Sequence, residues 1–503
     1  MSAFITAYIA PIMFVCLVVF LLLGYPVAFA LSALGIFFGF VGFELGLLSP
    51  ELFQALGERI FGIMANDTLL AVPFFTFMGL ILERSGMAED LLDTIGQLFG
   101  PVRGGLAYAV IFVGALLAAT TGVVAASVIS MGLISLPIML RYGYDRRLAS
   151  GVIAASGTLA QIIPPSLVLI ILADQLGRSV GDMYAGAILP GLVLTSMYVG
   201  YVFLRATFNP ERAPALPLEA RTLRGWKLFG RVLFVMIPPL ALIFLVLGTI
   251  FLGIATPTEG GAMGATGALA LALINRRLNW SLLRQAMNST AKLTSFVIFI
   301  LVGATVFSLT FRAVNGDIWV EHLLTGIPGG AVGFLILVNI LVFLLAFFLD
   351  FFELAFIVIP LLAPVAEKLG IDLIWFGVLL GVNMQTSFMH PPFGFALFYL
   401  RSVAPSKEYV DKITQQRMLP VTTGQIYWGA VPFVVIQCIM VGILIAFPQL
   451  VLSGLEKSTV DPASVEIVIP PMDAEEAGAE ESAEEQAAEE KQEVDDLQKQ
   501  FGK

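Results

Sequence analysis

The sequence predicts an all-α polytopic membrane protein, folded as an inverted repeat with two re-entrant helical hairpins and two discontinuous helices. Three observations lead to this fold class. Hydrophobic residues make up 58% of the 503-residue chain and charged residues only 13%, against about 25% charged residues in soluble domains. One pattern of helix-breaking residues occurs twice at a fixed spacing. A Pro-Pro pair interrupts an apolar stretch in each copy.

The apolar runs divide the chain into two similar halves. Crossing a bilayer takes about 20 mostly apolar residues, and such runs recur over the first 450 positions. We expect a first repeat over 1–205, a basic cytoplasmic linker over 206–230 and a second repeat over 231–450. The acidic remainder, 451–503, is expected to be disordered or to form a lone solvated helix, because it is rich in Ala and Glu and lacks a core-forming pattern.

The positions of lysine and arginine indicate how the chain is inserted. These residues favour the cytoplasmic side of a membrane, and a topology with the first residue outside puts 19 of the 27 in cytoplasmic segments. The N-terminus and the acidic tail are then both expected outside. The basic stretch 205–231 is expected to form a helix lying on the inner membrane surface, and 84–100 a second surface helix, with a long loop as the alternative for each.

An internal repeat relates distant parts of the chain. The stretches LPIMLRYGYD (136–145) and APVAEKLGID (363–372) share Pro, Gly and Asp at one spacing, and the second lies 227 residues after the first. The same offset carries Pro164-Pro165 onto Pro391-Pro392. The loop at 141–147 is rich in arginine and its counterpart is not, which fits copies inserted in opposite directions. Inverted repeats let a protein open to either side of a membrane in turn, so this arrangement indicates transport.

Each copy contains two elements that a simple membrane helix would not have. The segments at about 106–140 and about 331–366 are too long for one span, and each is expected to form a hairpin that enters the membrane and returns. The Pro-Pro pairs are expected to break the helices over 150–173 and 374–400, because proline lacks an N–H and disfavours helical angles at the preceding residue. Carbonyls freed in this way are costly in a bilayer unless they line a cavity and bind a ligand.

The residues at these breaks suit a small hard cation such as Na⁺. Carbonyl oxygens, hydroxyls and Asn amides are suitable ligands for it, and the N-termini of half-helices suit an anionic substrate group. Asp350 follows an apolar run, where an acidic residue is costly and usually functional. The alternative is that its carboxylate serves only as a helix cap. For His390, a packing or proton-linked role is an equal alternative. Several other polar residues also have purely structural alternatives: Thr120, Thr121, Ser156, Thr158, Asn383 and Gln385.

The motifs in combination resemble one known family. The chain is similar to the large membrane subunit of tripartite ATP-independent periplasmic (TRAP) transporters in the stretches GYDRRLASGVIAASGTLAQIIPPS, ATPTEGGAMGA, FLDFFELAFIVIPLLAPVAEKLGID and NMQTSFMHPPFG. The resemblance implies a bacterial inner-membrane symporter that takes up organic acid anions with Na⁺ by an elevator mechanism. It also implies two protein partners, a small four-helix membrane subunit and a periplasmic substrate-binding protein, and no cofactor besides the coupling ion.

The resemblance further implies which residues bind the ions and the substrate. Each cation site is expected where a hairpin meets the broken helix of the same copy. The first site comprises Ala119, Thr120, Thr121, Gly122, Ser156, Gly157, Thr158 and Pro164, with Pro165 beside it. The second site comprises Asp350, Asn383, Gln385, Thr386, His390, Pro391 and Gly394, with Pro392 beside it. The candidate substrate contacts are Thr121, Ser166, Asn383 and Ser387.

Two positions depart from the family pattern. Many members have Ser-Gly-Ser at the tip of the first hairpin, where this chain has Thr121-Gly122-Val123 and therefore one hydroxyl fewer. Most have Thr directly before the second Pro pair, where this chain has His390. The second cation site therefore has an imidazole where relatives have a hydroxyl.

Two other transport functions also fit the sequence. One is a stand-alone ion-coupled carboxylate transporter, which co-purification of a small subunit would exclude. The other is a passive ion channel, which uptake against a concentration gradient would exclude. No metal-ligand cluster, nucleophile motif or phosphate-binding loop occurs in a usable context, so the sequence does not indicate an enzyme. No nucleic-acid partner is expected.

Overall fold

A computed structural model of the protein describes residues 2–121, 124–411 and 413–455. Expected site residue Gly122 and the acidic tail from 456 onward lie outside the described residues, as do the side chains of Ala119, Thr120 and Thr121. The described part consists of helices, short connections and one two-stranded ribbon. The predicted all-α polytopic fold class is confirmed.

The described residues up to position 208 form ten α-helices. They are α1 (Ser2–Leu22), α2 (Val27–Glu44), α3 (Ala55–Met64), α4 (Asp67–Arg84), α5 (Met87–Phe99), α6 (Gly105–Thr121), α7 (Val124–Arg141), α8 (Arg146–Thr158), α9 (Leu167–Leu176) and α10 (Val180–Phe208).

The described residues after position 208 form eleven more helices and the ribbon. The helices are α11 (Gly225–Phe251), α12 (Pro257–Ile274), α13 (Trp280–Ala313), α14 (Gly316–Thr325), α15 (Gly330–Leu345), α16 (Phe351–Glu353), α17 (Ile359–Lys368), α18 (Leu373–Ser387), α19 (Phe395–Val403), α20 (Thr423–Ala446) and α21 (Gln449–Leu452). A π-helical turn, Leu354–Val358, connects α16 to α17. The ribbon pairs β1 (Tyr409–Val410) antiparallel with β2 (Arg417–Met418).

Six helices of the described chain are long and apolar enough to cross a membrane: α2, α7, α10, α11, α13 and α20. The number rises to eight if each of two bent helix pairs forms one span. One bent pair ends in α4 and bends by 45°, and the other joins α14 to α15 with a bend of 115°. Helices α9 and α18 are apolar but shorter than the roughly 20 residues that a full span needs. The lengths therefore allow both full spans and segments that end inside the membrane.

The residues shared by the two repeats have the same structural roles in both. Gly143 and Gly370 have φ angles of +82° and +71°, the left-handed region that glycine enters without steric cost. Two residues later, Asp145 and Asp372 cap α8 and α18, each accepting hydrogen bonds from two backbone N–H groups. The Gly-x-Asp spacing thus encodes the turn and the cap that start each broken helix.

Both Pro-Pro pairs lie in non-helical backbone between two helices. In the first half, α8 ends at Thr158, a 3-10 turn follows, and α9 begins at Leu167. In the second half, α18 ends at Ser387 and α19 begins at Phe395. Both Pro-Pro bonds are cis. The segments expected as hairpins consist of α6 with α7, and of α15 through α17.

The two halves pack closely where α8 of the first half crosses α20 of the second. A Cβ atom on Gly151 would lie 2.1 Å from the carbonyl oxygen of Gly429, and one on Gly429 would lie 2.2 Å from that of Arg147. Small residues allow helix backbones in membranes to approach this closely. In the same way, α18 of the second half packs against α9 and α10 of the first.

We expect Gly429→Ala to destabilise the protein by about 1–3 kcal/mol, because the added methyl group has to displace the backbone of α8. Thermal unfolding of the purified protein in detergent measures the effect. The matched control is Gly442→Ala on the same helix, where an added Cβ meets no atom within 4 Å. Equal unfolding temperatures for the two variants would show that the backbones of α8 and α20 do not approach each other closely at Gly429.

The linker between the halves differs from the sequence prediction. The expected surface helix over 205–231 is wrong, since α10 continues to Phe208, α11 begins at Gly225, and the residues between them form only two 3-10 turns. Three prolines in this segment, Pro210, Pro214 and Pro217, prevent an α-helix because each lacks an N–H. The second surface segment does contain a separate helix, α5.

Hydrogen bonds fasten this linker to the first half. The N–H of Gly104 donates to the carbonyl of Ala213, and the N–H of Leu216 donates to the carbonyl of Gly100, both at 2.9 Å. The N–H of Asp145, at the start of α8, donates to the carbonyl of Arg212 at 2.9 Å. The linker is therefore part of the folded structure rather than a loose connection.

A buried ion pair attaches the ribbon to the first hairpin. Arg141, the last residue of α7, donates from Nε and Nη2 to both carboxylate oxygens of Asp411 at 2.9–3.0 Å. The two side chains are 14% and 4% exposed. The N–H and hydroxyl of Thr414 also donate to Asp411, both at 2.8 Å. The ribbon, which has no counterpart among the described residues of the first repeat, thereby contacts the base of the first hairpin.

Candidate functional site

The first break places several backbone and hydroxyl oxygens at the junction of α8 and α9. The hydroxyl of Ser166 donates to the carbonyl of Gln161 at 2.6 Å and accepts from the N–H of Val168, so it caps α9. Both α6 and α7 contact the 3-10 turn at Leu159–Gln161. The helices that lead to the expected hairpin tip therefore lie against the first break.

The last turn of α8 presents the expected first-site residues. The hydroxyls of Ser156 and Thr158 donate back to the carbonyls of Val152 and Ala155 at 2.6 and 2.8 Å. Each oxygen still has lone pairs with which it can accept a hydrogen bond or bind a cation. Both residues are fully buried. Neighbouring Gly157 allows α7 to approach, because a Cβ there would lie 2.4 Å from the side chain of Val128.

Three of the expected tip residues, Ala119, Thr120 and Thr121, lie at the end of α6. The structure describes their backbone only, so their contribution to a cation site stays a prediction. Pro164 is buried in the break itself. It lines a groove of about 1050 Å³ between α6, α10 and α11. Because this groove is lined mainly by aliphatic and aromatic residues, it suits lipid chains better than an anion.

The second break has a tighter backbone. Gly394, the cap of α19, donates its N–H to the carbonyl of His390 at 2.6 Å, and a Cβ at Gly394 would lie 2.6 Å from the carbonyl oxygen of Phe388. The hydroxyls of Thr386 and Ser387 donate back to the carbonyls three residues earlier, both at 2.6 Å. The second break therefore also has hydroxyls bonded back into its helix, but at positions that differ from Ser156 and Thr158 of the first.

His390 lies in an aromatic environment. Its ring stacks on Phe347 with centroids 4.3 Å apart and meets Phe343 edge-on at 4.1 Å. Both ring nitrogens are buried and have no hydrogen-bond partner among the described residues. These contacts favour packing over cation binding for the imidazole.

Asp350 caps the short helix that follows the turn of the second hairpin. Its Oδ1 accepts from the N–H of Glu353 at 2.9 Å, and the Glu353 carboxylate accepts from the N–H of Asp350 at 3.0 Å. This reciprocal cap uses Oδ1, so Oδ2 is the atom that could bind a cation. Glu353 also lines a cavity of about 310 Å³ beside the turn between α1 and α2. Two neighbouring carboxylates favour a cation at this position.

Asn383 connects α18 to the second hairpin. Its Nδ2 donates to the backbone carbonyl of Asn339 at 2.8 Å and to the Asn339 side-chain oxygen at 2.9 Å. Both residues are buried. The amide nitrogen of Asn383 is thereby occupied, which leaves its Oδ1 as the atom to face a ligand.

The structure joins Thr158 and Gln385, which the sequence assigns to different sites. The Nε2 of Gln385 donates to the hydroxyl of Thr158 at 3.1 Å and lies 3.5 Å from the hydroxyl of Tyr198. The Nε2 of Gln437 donates to the same Tyr198 hydroxyl at 2.8 Å. We call these four residues the polar hub; all four are 0% exposed.

Sequence reasoning missed four residues near the candidate sites: Tyr198, Asn339, Glu353 and Gln437. Asn339 and Gln437 each interrupt an apolar run, and a polar residue in such a run is a usable signal. Within the described ranges, no three His, Cys, Asp or Glu side chains group closely enough to hold a metal ion.

The sequence matches a known protein family over most of its length. The family is described as tripartite ATP-independent periplasmic transporter, DctM component, and the match covers residues 14–450.

Individual relatives agree with this match, and one solved structure is similar in fold. A C4-dicarboxylate TRAP transporter large permease protein from Pseudomonas aeruginosa is 32% identical over 71% of this chain and 82% of its own length. An ectoine/5-hydroxyectoine TRAP transporter large permease protein from Ruegeria pomeroyi is 27% identical over 88% and 98%. The crystal structure of the Alcanivorax borkumensis YdaH transporter is similar in fold, with a TM-score of 0.53, 17% identity and coverage of 80% and 90%.

Proposed function

Because this chain belongs to the DctM-component family of tripartite ATP-independent periplasmic transporters, we propose that it takes up an organic acid anion together with Na⁺ by an elevator-type movement. The chain is a multi-pass inner-membrane permease subunit and not an enzyme. The proposal concerns the coupling ion, the class of substrate and the movement.

One observation carries the proposal: in each half, a hairpin lies against the broken helix of the same half. In the first half, α6 and α7 contact the 3-10 turn after α8. In the second half, Phe347 stacks on His390 and Phe348 lies beside Phe393. Such junctions bring hydroxyl and backbone oxygens together in a low-dielectric environment, where a bound cation offsets their desolvation cost.

We propose a set of Na⁺ ligands for each site. At the first site they are the oxygens of Ser156 and Gly157 together with the tip residues Thr120 and Thr121. At the second site they are Asp350, Asn383 and Thr386. Thr158 and Gln385 bind each other, so we place them beside the sites rather than in them.

Organic acids are the proposed substrate class because the relatives carry names such as C4-dicarboxylate and ectoine/5-hydroxyectoine transporters. The N-termini of α9 and α19 follow the two breaks, and the positive ends of these helices favour an anionic group. We propose a carboxylate at these ends. Ser166 and Ser387 already use their hydroxyls within the fold.

The family's tripartite organisation implies a small membrane subunit and a substrate-binding protein as partners. We propose that the small subunit has four helices and that the binding protein delivers the anion from the periplasm. The outside location of the N-terminus and the acidic tail stays a prediction.

Reconstitution tests the proposal. The chain and the small subunit are reconstituted into proteoliposomes, and the binding protein is added to them. Accumulation of labelled organic acids is then followed under an inward Na⁺ gradient. We expect accumulation that stops when an ionophore removes the gradient and that requires the binding protein. Equilibration without accumulation would indicate a passive channel, and full uptake without partners would indicate a stand-alone transporter.

A further inference from the structure

The polar hub lies where the two halves of the protein meet. Its four side chains come from four helices: Thr158 from α8, Gln385 from α18, Tyr198 from α10 and Gln437 from α20. Two of these helices belong to the first half and two to the second. Both broken helices therefore contribute one side chain to the same hydrogen-bonded cluster.

Thr158 and Gln385 are equivalent positions in the internal repeat. They are 227 residues apart, the offset that relates the Pro-Pro pairs of the two halves. Two equivalent positions can touch only if they lie close to the axis that relates the two copies. The hydrogen bond between them thus joins the two broken helices near this axis.

The hub is also close to both breaks along the chain. Thr158 is the last residue of α8, and Gln385 lies in the final turn of α18. The proposed ligands Ser156 and Asn383 each lie two residues before a hub residue. A movement of either helix end on binding an ion would therefore be transmitted to the other through one hydrogen bond.

The hub contains polar atoms that its own contacts do not satisfy. The Oε1 atoms of Gln385 and Gln437 are buried and have no hydrogen-bond partner among the described residues. Uncompensated acceptors in a low-dielectric interior destabilise a cluster and make it sensitive to small rearrangements.

We propose that the hydrogen bond between Thr158 and Gln385 couples the two breaks, so that a cation bound at one raises the affinity for a cation at the other. The inference rests on the proposed Na⁺ coupling and deepens it. Thr158 and Gln385 act as positioning residues and do not bind the ions. Coupling between two sites typically changes affinity about 5- to 150-fold, which makes the activation by Na⁺ cooperative.

The test is the Na⁺ dependence of initial uptake rates in proteoliposomes with the full complex. In Thr158→Val, which keeps the shape but loses the hydroxyl, we expect the Hill coefficient for Na⁺ to fall towards one. Thr158→Ser keeps the hydroxyl and is expected to keep the wild-type coefficient. If Thr158→Val does not insert, Gln385→Met removes the same bond from the other side.

The matched control is Thr195→Val on α10. The Thr195 hydroxyl donates to the carbonyl of Gly191 at 2.8 Å, within its own helix, so this variant loses a hydroxyl outside the hub. A cooperative wild type whose coefficient is unchanged in Thr158→Val and Gln385→Met would overturn the coupling alone. A non-cooperative wild type would also overturn it. A wild type without any Na⁺ dependence would instead overturn the proposed function.

Discussion

Replacing Asp350 by Asn is expected to raise the Na⁺ concentration for half-maximal uptake about 10- to 100-fold. An interaction with a charged group is worth about 1.5–3 kcal/mol, and each 1.4 kcal/mol or so corresponds to a tenfold change in affinity. Asn is as good a helix cap as Asp, so the variant removes the charge but keeps the bond to the Glu353 N–H. Uptake assays over a Na⁺ series with a constant substrate concentration provide the measurement.

A second aspartate provides the control for this prediction. Asp372 caps α18 in the same way, with its Oδ1 2.9 Å from the backbone nitrogens of Ile374 and Trp375. Asp372→Asn is expected to leave the Na⁺ dependence unchanged. Thr121→Ala is the corresponding variant at the first site. If neither Asp350→Asn nor Thr121→Ala changes the Na⁺ dependence, the assignment of the cation sites is wrong.

The second large effect concerns the ion pair between Arg141 and Asp411. We expect Asp411→Asn or Arg141→Leu to lower the free energy of unfolding by about 3 kcal/mol, because each leaves its partner charge covered and unpaired. The unfolding temperature in detergent measures the loss. Glu367→Gln, which removes the exposed pair of Arg178 with Glu367, is the control and should cost less than about 1 kcal/mol.

The pH dependence of this ion pair has a defined sign. Hydrogen bonds from Arg141 hold the pKa of Asp411 well below its ordinary value of 3.8. The ion pair therefore stabilises the fold fully when the pH is above the ordinary pKa of an aspartate. This stabilisation is lost as the pH falls towards the lowered pKa of Asp411. Between pH 6 and 8, the difference in unfolding temperature between wild type and Asp411→Asn should be constant. A difference that disappears in this range would contradict the assignment.

The sequence predicts those parts of the structure that depend on local chemistry. Proline removes a hydrogen-bond donor wherever it occurs, so the interruptions around Pro164 and Pro391 can be placed without coordinates. The turn at Gly143 and the cap at Asp145 are equally local. In the linker, the charges suggest a surface helix, but the prolines prevent one.

Contacts between distant residues could not be predicted in this way. Tyr198 and Gln437 belong to long apolar helices, and the sequence does not say which face of each helix meets a broken helix. The repeat offset relates Thr158 to Gln385, but only the fold shows that they touch. Likewise, the aromatic side chains around His390 come from α15 and from the turn that follows it, more than 40 residues earlier in the chain.

The glycine crossing of α8 and α20 has a consequence for how the protein can be divided. The backbone that Gly151 approaches comes from the other half, so each half expressed alone would leave the surface around Gly151 or Gly429 exposed to detergent or lipid. Two fragments cut in the linker should consequently assemble with each other when synthesised in one cell, and neither should persist by itself.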